Sequence, residues 1–114
     1  MCNIQDGSLV YIHPLKSIDN IDKFSLFYKA FRLEFSKEKN YSYDYNVYLC
    51  LDRLYVVTKS KITINVRNRI YFNHVQLLDA EDGTIAYVDK NHLSTLEEDN
   101  ESFVQCKNIY KQVN

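Results

Sequence analysis

Histidine and cysteine are the residue types in this 114-residue chain with the broadest chemistry. These residues are His13, His74, His92, Cys2, Cys50 and Cys106. No two of them have the close spacing of metal ligands, so the sequence predicts no metal site and no cofactor. The cysteines are odd in number and include no Cys-x-x-Cys pair, which indicates reduced thiols.

The sequence contains no specific catalytic motif. Two histidines and a lysine can cleave RNA without a metal by general acid and base catalysis, but any protein with three histidines offers that combination. Glycine occurs only at positions 7 and 83, which excludes a Gly-rich phosphate loop. No serine lies in a nucleophile elbow. The sequence therefore predicts a protein that is not an enzyme.

The distribution of charge is more informative. Residues 79–101 contain eight acidic residues and a single base, Lys90. Such a surface attracts a basic partner and repels wrong ones. We expect a protein that binds another protein with a basic surface, as an inhibitor, immunity protein or antitoxin does. The predicted contact residues are Asp79, Glu81, Asp82, Asp89, Glu97, Glu98 and Asp99, with Tyr87 as an aromatic anchor.

A basic stretch supports an alternative function. Residues 53–69 contain five bases and no acid. Lysine and arginine neutralise phosphates, and aromatic rings stack on bases, so hairpins in this region could bind nucleic acid. The residues of this alternative are Arg53, Lys59, Lys61, Arg67 and Arg69, with Tyr55 and Tyr71. A third interpretation is that both charged stretches are solvated strand ends.

Composition limits the possible domain organisation and location of the protein. A hydrophobic fraction of 46% and a net charge of −1 are typical of one globular domain, here residues 1–114. The sequence lacks a membrane-spanning apolar run and a signal-peptide layout, so we expect a cytoplasmic protein that does not bind membranes. Its richness in Asn, Ile, Lys, Tyr and Phe fits an A+T-rich coding sequence, as in a phage, virus or mobile element.

Alternating apolar residues predict strands through the middle of the chain. In Tyr45–Leu51 and Lys61–Val66 every second side chain is apolar, which puts one face inside and one in water. Further strands are expected at 8–12, 54–58, 70–78 and 84–88, with a hairpin turn at Asp82-Gly83. These strands predict an antiparallel meander of five to six strands, whose exposed edge could pair two copies in a homodimer.

One amphipathic helix is expected before the strands. Ile21, Phe24, Tyr28, Phe31 and Phe35 recur at intervals of three and four residues and would form one apolar stripe. The predicted fold is therefore α+β, with this helix packed on one face of the sheet. Residues 82–93 resemble the end of an SH3-like barrel, which makes a small barrel with an added helix the alternative. Residues 103–113 fit either a helix or a strand.

Overall fold

A computed structural model of the protein describes residues 4–22 and 24–96. Nine short strands and two single-turn 3-10 helices account for the regular structure of these residues. In chain order they are β1 (Leu9–Ile12), η1 (Ile18–Asn20), β2 (Phe27–Ser36), β3 (Tyr41–Cys50), β4 (Tyr55–Lys59), β5 (Ile64–Val66), β6 (Arg69–Tyr71), β7 (His74–Leu78), β8 (Ile85–Asp89), η2 (Lys90–His92) and β9 (Leu93–Thr95).

Seven strands form one sheet in the order β3-β2-β8-β7-β4-β1-β9, and β5 and β6 form a separate two-stranded sheet. All neighbouring strands are antiparallel. β2 and β3 pair over ten residues without a register shift. This long hairpin joins the rest of the sheet where Phe31 of β2 lies opposite Tyr87 of β8.

The core follows from the alternation of side chains along the central strands. Val75 and Leu77 of β7, and Ala86 and Val88 of β8, are almost completely buried. Their neighbours along each strand point to the opposite face, because successive side chains of a strand alternate. The rest of the main apolar cluster is Ile4, Val10, Ile12, Tyr28, Ala30, Leu49, Leu51, Tyr55, Val57 and Leu93.

The predicted amphipathic helix is wrong, and both predicted folds that included it are wrong. Residues 27–36 form strand β2, and no helix of seven or more residues packs on the sheet in the described residues. Phe24, which the helix would have buried, is 93% exposed. Aromatic residues also favour strands, and the ten-residue pairing with β3 decides the conformation. A pattern search within residues 21–35 cannot detect that pairing.

The strand predictions are correct in part. Ile64 and Val66 are buried on one side of β5, as their alternation predicted. The single strand expected at 70–78 is instead divided into β6 and β7, with a bend at Phe72 and Asn73. The turn at Gly83 is present, with Gly83 at φ +77. Residues 103–113 lie outside the described residues. Among the residues described, no helix has the length and apolarity needed to cross a membrane.

Candidate functional site

The face of β7 and β8 that points away from the core carries a cluster of aromatic and ionisable side chains. His74, Tyr87 and Asp89 occupy this face, in alternation with the buried residues of the same strands. Phe31 joins them because β2 is the next strand in the sheet, with Phe31 in register with Tyr87. Antiparallel pairing therefore concentrates residues from three strands in one place.

Phe31 is the centre of the ring contacts. Its ring centroid lies 5.2 Å from that of Tyr71, and 5.6 Å from those of both His74 and Tyr87. Tyr71, on the two-stranded sheet, meets His74 edge to face at 4.8 Å. Centroid separations in this range are those of favourable aromatic pairs. The small sheet is thus attached to the large one through tilted and edge-to-face ring contacts.

A second histidine reaches the same place from η2. Nδ1 of His92 lies 2.7 Å from the hydroxyl of Tyr28, and the two rings meet edge to face. Burial raises the pKa of Tyr28 well above its ordinary value, and the negative charge of Asp89 raises it further. Tyr28 therefore keeps its proton. We assign that proton to a hydrogen bond on Nδ1 of His92.

His74 and Asp89 lie at the start of β7 and the end of β8, directly opposite each other. Burial lowers the pKa of His74, the charge of Asp89 opposes this shift, and His92 adds to it. The carboxylate of Asp89 is fixed by two donors, the side-chain amide of Asn73 at 3.1 Å and the backbone N–H of Asn91 at 2.9 Å. The neutral form of His74 is favoured in this environment.

Two cations border the cluster. The guanidinium carbon of Arg69 lies 5.7 Å from the centroid of the Tyr71 ring, within the range of a cation–π contact. Lys29, on β2, lines the same cavity of about 310 Å³. This size is at the lower end for small-molecule sites. We call this cavity the aromatic pocket; its functional groups come from Tyr28, Lys29, Phe31, Arg69, Tyr71, His74, Tyr87, Asp89 and His92.

An outer groove of about 750 Å³ continues from the pocket across β2 and β3. It shares Lys29, Phe31, Arg69 and Tyr71 with the pocket and extends to Tyr48, which is 57% exposed. The groove also contains three acids, Asp19, Asp22 and Asp44. Arg67 Nε lies 2.9 Å from Asp44 Oδ1, so one of these charges is offset. In the inner pocket Lys29 and Arg69 outnumber the one acid, Asp89, whereas in the groove the same two cations meet three acids.

The predicted acidic contact residues lie in two separate places. Asp79 is only 4% exposed, and Arg53 Nη1 donates to its Oδ2 at 2.8 Å. The same guanidinium lies 3.6 Å from Glu81 and 3.8 Å from Asp82. These three acids surround the β7–β8 turn. Asp89, the last residue of β8, lines the aromatic pocket instead, as does Tyr87, the predicted aromatic anchor. Glu97, Glu98 and Asp99 are outside the described residues.

The predicted basic residues are also dispersed. Tyr55 is 1% exposed, and its hydroxyl accepts a hydrogen bond from the backbone N–H of Cys50, so it belongs to the core. Lys59 and Lys61 line a different cavity of about 610 Å³ together with Asp6. Arg53 and Arg67 are the ion-pair partners described above. From this set, Arg69 and Tyr71 reach the aromatic pocket.

No protein-family model, curated protein or solved structure matches this chain. Its function is therefore inferred from its own geometry. In the described part of the chain, no group of three or more His, Cys, Asp and Glu side chains is arranged to hold a metal ion.

Sequence reasoning did not identify Lys29, Phe31, His74 and His92 as residues of one site. Lys29 and Phe31 fell in the helix that was wrongly predicted. A signal was present for His74, because it alternates with core residues of a strand and must point to the face opposite the core. What the sequence does not show is that β2 and β6 bring the remaining groups to that face.

Proposed function

We propose that the protein binds single-stranded nucleic acid and holds one nucleotide of the strand in the aromatic pocket. The observation that carries the proposal is the position of Arg69 and Lys29 at a cavity lined by aromatic rings. Proteins that bind single strands combine cations for the phosphates with aromatic faces for the bases. A cavity of about 310 Å³ suits a ligand of the size of one nucleotide.

The charge distribution supports a particular orientation of the strand. A phosphate is favoured beside Lys29 and Arg69 and disfavoured beside Asp19 and Asp22 in the outer groove. The strand would therefore place one phosphate at the inner pocket, with a neighbouring base on Tyr48. Few phosphates are contacted in this arrangement, so we expect moderate affinity and a shallow dependence on salt. Neutralisation of one or two phosphates of a single strand gives a slope of log K against log salt of about −0.7 to −1.4.

Docking of a basic protein through the acidic residues stays a prediction, and the geometry supports it less well. Asp79 is buried and bonded to Arg53, which also lies within 4 Å of Glu81 and Asp82. A partner would have to compete with this internal cation for the same carboxylates. The residues around Asp89 lie at the opposite end of the β7–β8 hairpin. The acids that can be placed do not form one continuous surface.

The proposal is tested by fluorescence anisotropy with labelled single-stranded RNA and DNA of about 12 nucleotides. Replacing Lys29 and Arg69 together by alanine should weaken binding at least about tenfold, because both phosphate contacts are lost. The matched control replaces Lys59 and Lys61 by alanine, which removes the same charge from a different cavity. The control should change affinity less than about threefold.

Two results would contradict the proposal. One is the absence of saturable binding to either oligonucleotide at low salt, and the other is an equal loss of affinity in both double variants. An equal loss would mean that only the total charge matters. Competition with a free mononucleotide shows whether the pocket takes a single nucleotide or needs a strand.

A further inference from the structure

We propose that the aromatic pocket cleaves the RNA it binds, with His74 and His92 as the general base and the general acid. This inference rests on the proposed binding of nucleic acid, and it replaces the expectation that the protein only binds. The observation behind it is that two histidines, 18 positions apart in the sequence, line one cavity with two cations. Such a set can transfer protons and stabilise a phosphate without further groups.

The fold fixes both imidazoles in the wall of the pocket. His74 begins β7 opposite Asp89, the last residue of β8, and His92 follows Asp89 by one turn of 3-10 helix. His74 is held by the rings of Phe31 and Tyr71 at centroid distances of 5.6 and 4.8 Å. His92 is held by the hydroxyl of Tyr28 at 2.7 Å. Orientation of a proton-transferring side chain by a further group in this way is a signature of catalytic sites.

The environments of the two rings assign their roles. Burial lowers the pKa of His74, so this ring is neutral at pH 7 and can accept a proton. The Tyr28 hydroxyl can either donate to Nδ1 of His92 or accept from it. It therefore orients the ring of His92 whether Nδ1 accepts or donates the hydrogen bond. Because Tyr28 contacts Nδ1, Nε2 of His92 is the nitrogen that transfers the proton.

The reaction is an internal transfer of the phosphoryl group. His74 takes the proton of a ribose 2′-hydroxyl, and the 2′-oxygen forms a bond to the adjacent phosphorus. The bond between phosphorus and the 5′-oxygen of the next nucleotide breaks, and His92 gives that oxygen a proton. The products are a 2′,3′-cyclic phosphate and a 5′-hydroxyl. Lys29 and Arg69 stabilise the negative charge that develops on the phosphate oxygens.

The experiment incubates the full chain, with EDTA present, with a labelled RNA oligonucleotide, its all-deoxy analogue and its 2′-O-methyl analogue. We expect the RNA to be cut to products with a 2′,3′-cyclic phosphate, which mass spectrometry identifies, and the two analogues to stay intact because they lack the 2′-hydroxyl. His74→Gln and His92→Gln should each slow cleavage about 100-fold or more. In both variants the loss of cleavage rate should exceed the loss of affinity for the 2′-O-methyl analogue at least about tenfold, because proton transfer is lost while Lys29 and Arg69 still bind the phosphate.

The outcomes separate this inference from the proposed function. Binding of the 2′-O-methyl analogue without cleavage of RNA overturns the inference and leaves the binding function intact, whereas loss of both overturns both. Equal cleavage by wild-type protein and by both histidine variants would identify a contaminating nuclease and would also overturn the inference. The variant with Lys59 and Lys61 replaced by alanine, purified in the same way, should cleave at the wild-type rate. Circular dichroism checks that each histidine variant is folded.

Discussion

Asp79 shows how a single acidic residue can have a structural role. Its carboxylate accepts from Arg53 at 2.8 Å and from the backbone N–H of Glu81 at 2.9 Å. We expect Asp79→Ala to lower the free energy of unfolding by about 2 to 3 kcal/mol, because a buried charged acceptor with two donors is lost. Glu81→Ala removes the same charge from a residue whose side chain is 75% exposed and should cost less than about 1 kcal/mol. Urea denaturation of both variants measures the difference, and equal losses would contradict the structural role.

The sequence therefore shows which residues are charged, but it does not show which acidic and basic side chains form ion pairs. The sequence correctly locates an excess of acids after residue 79 and an excess of bases before residue 69. It does not show that Arg53 lies among three of those acids, or that Arg67 faces Asp44. These pairs join residues far apart in the sequence, and strand order and register decide them. The same reason explains why His74 and His92 could be named as reactive groups but not placed together.

The two-stranded sheet of β5 and β6 is the element that closes the aromatic pocket. A hairpin of two short strands is marginally stable by itself, so its contacts with the large sheet must hold it. Tyr71→Ala removes the contact with Phe31 and His74. We expect amide hydrogen exchange in residues 64–71 to become about tenfold faster or more, while exchange in β7 and β8 stays close to wild type.

The neighbouring Phe72 provides the control for that prediction. Its side chain is 77% exposed, so Phe72→Ala deletes a similar aromatic ring without removing a buried contact. Exchange in residues 64–71 should then remain at the wild-type rate. If Phe72→Ala accelerates exchange as much as Tyr71→Ala does, or if Tyr71→Ala accelerates exchange evenly throughout the large sheet, the ring contacts do not hold the hairpin.

At the scale of elements, the local sequence pattern correctly predicted the strands with strict alternation of apolar side chains. It failed where the same residues fit both a helix and a strand. β5 and the second half of β3 have an apolar side chain at every second position, and Ile64, Val66 and Leu49 are buried as that alternation predicted. In residues 21–35, aromatic residues fit a helical stripe and also suit a strand. The hairpin with β3 selects the strand, and the resulting sheet order places β2 beside β8. That long-range step assembles the pocket.

At the scale of the whole molecule, the shifted pKa values act together on stability. Hydrogen bonds from the chain lower the pKa values of Asp6, Asp22, Glu34 and Asp82, so their stabilising contribution is present above about pH 4 and lost as pH falls below it. Burial raises the pKa values of Tyr28 and Tyr55 above the ordinary value of 10, so stability falls at pH values above about 10. Between these limits, His74 is a described residue whose pKa the fold lowers.

Burial lowers the pKa of His74 from its ordinary value of 6.5. Below about pH 6.5, His74 therefore binds a proton more readily in the unfolded chain than in the folded protein. As a result, the free energy of unfolding should decrease as pH falls from about 7.5 to 5. His74→Gln keeps a polar side chain without titration and should flatten this decrease. Urea denaturation of the two proteins at several pH values in this range measures both slopes. Equal slopes would mean that His74 is protonated as easily in the folded protein as in the unfolded chain, and that the aromatic pocket does not desolvate its ring.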